Sequence, residues 1–244
     1  MAKGISVIMA SYLGNYPGCR ENSDYKFIRA VKSFQSNKSL ENKQLVIVSD
    51  GCEITNSLYE KHFKEDNDIT LVRCEKSDYS WPGVLREAGR SIAKYDWIAY
   101  LDSDDLYFPN HLAKAYLSIL KRKEETTVMF NTHYIMPFAE DPISYHLLYL
   151  GKTLSEYKEL YNTLQEFEFE GKSCRVAMTN TKGENGTWQI IHRKNVPHRW
   201  ESTNEIGEDK DFIERLKTTE KYEKFKGVYM HCHLNVDLNL CWDY

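Results

Sequence analysis

Short apolar runs rich in β-branched residues, separated by amphipathic segments, constrain this chain more than any other feature. Gly4 to Ala10 reads GISVIMA, Gln44 to Ser49 reads QLVIVS, Ile69 to Arg73 reads ITLVR, and Tyr95 to Leu101 reads YDWIAYL. Each is too short for a stable helix and has the continuous apolar character of a strand buried on both faces. The segments between them carry helical spacing. Phe27, Ala30, Val31 and Phe34 follow a capping Asp24; Ile54, Leu58 and Phe63 form a second set. Leu85, Ala88, Ile92 and Ala93 form a third behind Pro82, a residue favoured in a first helical turn. Strands alternating with helices imply an α/β fold with a mostly parallel sheet covered on both faces. Such a sheet binds ligands at the carboxyl ends of its strands. Three polar sites fall there: Ser11-Tyr12, Asp50-Gly51 and Asp102-Ser103-Asp104-Asp105.

The second half is less regular. Asn110 to Lys121 reads as a helix with Leu112, Tyr116, Ile119 and Leu120 inward, and Val128 to Ile135 as a strand. Residues 138 to 185 show no clean period, although aromatics and charges are frequent. Trp188 to His192 reads as a short strand after the Gly183 to Gly186 loop. Asp209 to Leu216 reads as a helix with Phe212, Ile213 and Leu216 on one side, and Gly227 to Val236 as a last strand. No repeat or linker interrupts the chain. One domain over residues 1–244 is expected, with only a notional division near residue 125.

Composition narrows the partners. Lys and Arg number 32 against 36 Asp and Glu, a formal charge of −4, which argues against a nucleic-acid partner. Tyrosine occurs 17 times; tyrosines suit sugar sites, where a ring packs on C–H groups and the hydroxyl bonds polar ones, and they equally fill cores. The first apolar run is too short for a signal peptide or a membrane helix. A cytoplasmic protein is expected, with peripheral docking at the inner face of the cell membrane left open. Cysteines at 19, 52, 74, 174, 232 and 241 form no CxxC, so neither a zinc ribbon nor a thioredoxin motif is present.

The acidic run carries the strongest chemical signal. Three carboxylates within four residues repel one another, and a divalent cation with oxygen ligands offsets that repulsion. Mg²⁺ or Mn²⁺ held by one or two carboxylates completes its shell with substrate phosphates and water. The cluster therefore predicts a diphosphate ligand. The plainer alternative is a solvated acidic turn in which Asp105 or Asn110 caps the next helix.

Taken together, ISVIMASY, VIVSDG and GVLREAGRSIAKYDWIAYLDSDDLYFPNHL resemble the family 2 glycosyltransferases with the GT-A fold, a Rossmann-like sheet flanked by helices. The likeness is close over residues 4 to 115 and returns at IGEDKDFIERL. Cys52 stands where the family prefers Ser, and Glu87 where it prefers Asn. The resemblance implies a nucleotide-sugar-binding half over 1–125 and an acceptor and base half over 126–244. It implies that Ala10, Ser11 and Tyr12 line the nucleotide pocket and that Asp50 accepts a hydrogen bond from the base, a uracil N–H. It places Arg86 on the diphosphate or on Asp102, Asp102 and Ser103 toward the nucleotide, and Asp104 on Mn²⁺ or Mg²⁺. His233, with His231 as its rival, is a further metal ligand. Zinc held by His and Cys232 is a lesser alternative, because Cys232 points to the opposite strand face.

The same resemblance implies an inverting transfer of a hexose-type sugar from a UDP-sugar to a glycan or lipid-linked acceptor, with Asp209 as general base. At a helix N-terminus the dipole keeps Asp209 ionised but weakens it as a base. Trp188, Gln189 and Glu208 are candidate acceptor contacts, and the aromatic stretch from Phe138 to Tyr161 a candidate acceptor wall or membrane-facing helix. Two other classes remain: a nucleotidyltransferase, disfavoured because Ser11 to Cys19 lacks a basic Gly-rich loop, and a non-catalytic nucleotide-sugar binder, opposed by intact Asp104 and Asp209.

Overall fold

The computed structural model describes residues 3–15, 22–78, 82–108, 110–137, 165–169, 172–180, 186–201, 207–226 and 229–230. Its centre is a seven-stranded sheet in the order β11-β6-β10-β4-β1-β2-β3. Strands β1 (Ile5–Ser11), β2 (Lys43–Asp50), β3 (Ile69–Cys74) and β4 (Trp97–Tyr100) coincide with the four apolar runs and pair in parallel. Their carboxyl ends therefore share one edge. β10 (Ile190–Arg193) runs antiparallel between β4 and β6 (Val128–Asn131), and β11 (Tyr222–Phe225) pairs in parallel with β6. Strands from both halves of the chain thus complete one sheet.

Alternation along the strands divides the core. Ile5, Val7, Met9, Leu45, Ile47, Trp97 and Ala99 face a layer containing α1 (Ser23–Gln35), α2 (Glu53–His62) and α4 (His111–Lys121). Ile8, Val46, Val48, Ile98 and Tyr100 face α3 (Gly83–Ile92) and α5 (Glu208–Thr219). Each fully buried aliphatic or aromatic side chain in these layers stabilises the fold by about 1.5–3 kcal/mol. Together the layers make the three-layer α/β architecture expected of the GT-A fold.

Several local expectations need correction. Asn22, with φ of 56°, holds the N-cap of α1, and Asp24 lies in the first turn instead. By α2, Leu58 and the following Phe63 pack on the core as expected, but Thr55 turns in to meet the Ser11 hydroxyl at 2.9 Å and Ile54 is 45% exposed. On α4 the buried line runs Leu112, Ala115, Ile119, and Leu120 is 57% exposed. Ile92 at the end of α3 is also exposed. The strand expected over Val128 to Ile135 breaks at Thr132, whose N–H donates to the Phe225 carbonyl at 3.0 Å. β7 (His133–Pro137) then joins a second sheet, ordered β5-β12-β7-β9-β8. That sheet also holds β5 (Leu106–Tyr107), β8 (Gln165–Phe169), β9 (Lys172–Asn180) and β12 (Tyr229–Met230). β8 and β9 fall where no period was expected. Gln165-Glu166-Phe167-Glu168-Phe169 does alternate, and that period of two was the signal available. Trp188 to His192 divides into a 3₁₀ turn (Thr187–Gln189) and β10.

Candidate active site

Parallel pairing gathers the ends of β1, β2, β3 and β4 along one sheet edge. Because β10 runs antiparallel to β4, its leading turn, Thr187–Gln189, reaches the same edge. Two groups of polar side chains result.

The first lies over β1, β2 and β3. Asp50 ends β2 and is buried. Its carboxylate accepts from Lys76 Nζ at 2.5 Å, from the Ser77 N–H at 2.7 Å and from Ser77 Oγ at 3.2 Å. Gly51 makes this close approach feasible. Its φ is +60°, and a Cβ there would lie 2.7 Å from the Lys76 nitrogen. The Lys76 ammonium also sits 4.0 Å from the centre of the Tyr12 ring, a cation–π contact. Ser11 is buried against Thr55, and Ala10 beside it is half-buried. Cys52, standing where the resemblance prefers serine, accepts from the Leu13 N–H through Sγ at 3.2 Å, so the sulfur does hydroxyl-like work there. The sequence pointed to Ala10, Ser11, Tyr12 and Asp50. It missed Lys76 and Ser77, which are close to Asp50 only because β3 pairs with β2.

The second group lies over β4 and the N-terminus of α5. Arg86, on α3 and buried, holds a short ion pair with Glu208 Oε1 and a longer one, 3.3 Å, with Asp102 Oδ1. Its guanidinium stacks 4.7 Å from the Trp200 ring centre. Glu208 Oε2 accepts from the Gly83 N–H at 3.1 Å. Gly83 is required for that approach, since a Cβ there would collide with the Glu201 carbonyl oxygen. Asp102 is pinned from its other side by Thr187 Oγ1 at 3.0 Å, and the Thr187 amide also serves the Asp209 carboxylate. Two carboxylates thus pair with one guanidinium, and a third, Asp209, lies near enough to feel its charge. Burial pushes Glu208 up to about 7, against the pull of Arg86 and with Asp209 adding to the rise. Burial also raises Asp209, Arg86 again opposing and Asp102 adding repulsion. The expected weakening of Asp209 by the helix dipole is therefore outweighed. Arg86 itself rises because the charges of Asp102, Glu208 and Asp209 together exceed the cost of its burial.

Behind this group lies a satisfied aromatic network. The Trp200 indole N–H donates to Tyr100 Oη at 2.7 Å, and Tyr100 Oη lies 2.8 Å from His192 Nε2. His192 Nδ1 lies 2.8 Å from the Arg193 carbonyl. Burial pushes His192 down to about 3, so the imidazole is neutral and Nδ1 carries the proton it donates. Trp200 stacks on Phe212 with ring centres 4.1 Å apart. Glu87, standing where the resemblance prefers asparagine, accepts from the Trp200 N–H at 3.4 Å.

The acidic turn itself is tight, with the Asp105 N–H donating to the Asp102 carbonyl at 3.1 Å. Asp105 is fully buried, whereas Asp102, Ser103 and Asp104 are half-buried. Among the described residues no three His, Cys, Asp or Glu side chains converge as a complete metal site. Trp188 is buried in the core, and Gln189 is buried with its Oε1 accepting from the Gly186 N–H at 3.1 Å. Glu208 faces Arg86. His231, Cys232, His233 and the Phe138 to Tyr161 stretch lie outside the described residues. Among the described residues, no helix is long and apolar enough to cross a membrane.

The sequence profile of glycosyl transferase family 2 matches residues 22–179, and the chain belongs to that family. A relative in Bacillus subtilis (strain 168), named "Putative glycosyltransferase EpsH", is 28% identical over 172 residues, covering 70% of this chain and 44% of that protein. Solved structures of S. aureus TarS share the fold. TarS 1–349 in complex with UDP-GlcNAc superposes with a TM-score of 0.57 at 14% identity, over 93% of this chain and 58% of that one. A second TarS structure gives a TM-score of 0.59 at 15% identity, over 93% and 36%. The chain thus spans well under two thirds of these relatives' lengths. Their fold is GT-A, as is that of this chain.

Proposed function

We propose that this chain is an inverting glycosyltransferase that moves a sugar from a nucleotide-sugar, a UDP-sugar, to a glycan or lipid-linked acceptor. The observation that carries this reading is the meeting of Arg86, Asp102, Glu208 and Asp209 at the carboxyl edge of a sheet whose adjacent strand ends carry Tyr12 and Asp50. Binding of UDP-GlcNAc and UDP by TarS, as those structures are titled, supports UDP as the nucleotide.

In this reaction the acceptor hydroxyl attacks the anomeric carbon while the bond to the diphosphate oxygen breaks. The proton of the hydroxyl passes to the Asp209 carboxylate. A carboxylate whose affinity for protons is raised by burial is a better base than a solvated one, provided it remains ionised at working pH. Arg86 opposes the rise and so favours the ionised form. Asp50 accepts the imide N–H of uracil on a lone pair left beside its Lys76 and Ser77 contacts, where cytosine would present an acceptor and meet lone pair with lone pair. Arg86 and Thr187 hold Asp102 in place for the ribose or for water on the cation. Glu208, locked to Arg86, keeps the guanidinium oriented.

The donor set fits Mn²⁺ or Mg²⁺ as an incomplete site: half-buried carboxylates at Asp102 and Asp104 offer only hard oxygen ligands, and such ions take the remainder from phosphate and water. Asp104 would hold the ion, with His233 as a further ligand. When bound, the cation neutralises charge on the leaving diphosphate. Trp188 and Gln189 serve the acceptor side by shaping the turn that precedes β10. Action at the cytoplasmic face of a membrane suits a lipid-linked acceptor.

The test is incubation with Mn²⁺ and a panel of nucleotide-sugars, with nucleotide release and the anomeric configuration of the product as readouts. Release from a UDP-sugar with inverted configuration is expected. Absence of release and of binding for every UDP-sugar would overturn the reading, and a retained configuration would overturn the role of Asp209.

A further inference from the structure

Helix α1 carries a buried polar ladder that has no part in the chemistry just described. Arg29 is 1% exposed, and its Nη2 donates to the Asp104 carbonyl oxygen at 2.7 Å. One turn later, buried Ser33 accepts the Tyr107 N–H at 3.0 Å and donates to the Ala30 carbonyl at 2.6 Å. Just beyond the helix, buried Asn37 accepts the Leu112 N–H at 2.9 Å and donates to the Ser33 carbonyl at 2.9 Å. Positions 29, 33 and 37 are each four apart and lie on one helix face. They bond, in order, to the backbone at 104, 107 and 112, which is the segment leading out of the acidic turn.

The rungs differ in one respect. Ser33 and Asn37 both donate and accept. Arg29 leaves Nε and Nη1 buried without a hydrogen-bond partner. A buried guanidinium with unmade donors is less stable than an apolar side chain of similar shape in its place. A buried group left in this state calls for a reason beyond its own hydrogen bonding. Arg29 is also the rung that bonds inside the acidic turn itself.

We propose that Arg29 is a positioning residue for the acidic turn: from α1 it fixes the Asp104 peptide, and with it the Asp102 and Asp104 carboxylates, for a divalent cation carrying a nucleoside diphosphate. On the proposed function above, its buried positive charge also offsets the repulsion within the turn while the cation is away. The arginine therefore lowers fold stability and raises affinity for the ion.

The experiment compares wild type, Arg29→Met, Arg29→Lys and Ser33→Ala for Tm without ligand and for Mn²⁺ affinity in the presence of UDP, read by electron paramagnetic resonance of free Mn²⁺. Arg29→Met should melt at or above the wild-type temperature and yet bind Mn²⁺ roughly tenfold or more weakly, the usual loss when a supporting contact of a metal ligand is removed. Arg29→Lys should recover part of that affinity. Ser33→Ala should lower Tm and leave Mn²⁺ affinity unchanged. An Arg29→Met chain that is destabilised or fails to fold would overturn the claim, since the arginine would then be structural. Unchanged Mn²⁺ affinity in Arg29→Met, or an equal loss in Ser33→Ala, would overturn it too. A wild-type chain that binds neither UDP nor Mn²⁺ removes the proposed function itself, an outcome distinct from wild type and Arg29→Met binding equally.

Discussion

The two polar groups along the sheet edge are built in opposite ways. Around Asp50, a single buried carboxylate faces a half-exposed lysine ammonium and two serine donors, so charge is balanced and acceptor sites are nearly filled. Around Arg86, Glu208 and Asp102 share one buried guanidinium with Asp209 near by, and Glu208 and Asp209 are pushed toward protonation by burial. A balanced site reads hydrogen-bond patterns. An over-negative site holds a proton acceptor in readiness and has room for positive charge. On the proposed reading, the first selects the nucleotide and the second performs the transfer.

The largest test of that division is Asp209→Asn. Loss of a general base lowers the transfer rate by about 10²–10⁴-fold, while UDP binding, measured by calorimetry, should be retained. Next is Arg86→Met, which leaves Glu208 and Asp102 without their cation. Breaking a buried pair by removing one partner costs about 3–5 kcal/mol, so both Tm and activity should fall. Arg86→Lys should recover little, because one ammonium cannot reproduce the forked contact to two carboxylates.

Asp50→Asn probes the other group. It should weaken UDP relative to CDP, since the site loses its pure acceptor, and it should leave the pH dependence of transfer unchanged. Competition by free nucleotides against donor turnover measures both. A shift in the pH dependence would join the two groups and break the contrast between them.

Protonation gives a smaller effect with a definite sign. The Glu208 carboxyl, ordinarily near 4.5, lies at about 7 in the folded chain. Between those values the folded state binds the proton and the unfolded state does not. This group's contribution to stability is therefore full below about 4.5, declines as pH rises through the window, and is gone above about 7. Thermal melts of wild type should show that decline, and Glu208→Gln should flatten it. The smallest expected effect is that of Thr187→Val, which removes one hydrogen bond to Asp102 and costs about 1 kcal/mol, with a modest loss of rate in the same preparation.

The contrast also explains what was legible in the sequence. Ser11, Asp50 and Asp102 are marked because each ends an apolar run, and parallel pairing brings such ends together whatever the side chains are. Strand periodicity therefore located the parallel strands β1 to β4 and the residues at their ends, but not β8, β9 or β11. Lys76 and Ser77 follow β3 in an ordinary polar stretch, and nothing local distinguishes them. Thr187 and Trp200 are tied to Asp102 and Tyr100, residues 85 and 100 positions away in the chain. Nothing in the sequence distinguishes Arg29 from the other polar residues of α1, yet it is 1% exposed. Glu208 was expected to meet an acceptor, and the arginine that it pairs with, 122 positions away, leaves no mark beside it in the sequence. Two single residues were misplaced for a similar reason: Thr55 and Ala115 face the core where Ile54 and Leu120 were expected, while Leu58, Phe63, Leu112, Tyr116 and Ile119 lie on it as the spacing implied.

On the proposed reading, nucleotide selection and chemistry are separable between the two groups. Single-turnover transfer at saturating donor, measured beside the Kd for UDP in Asp50→Asn and Asp209→Asn, decides whether they are. The expected pattern is crossed: Asp50→Asn weakens UDP and keeps the single-turnover rate, whereas Asp209→Asn keeps UDP and loses the rate. If both variants lose affinity and rate in parallel, the two groups act as one and the division fails.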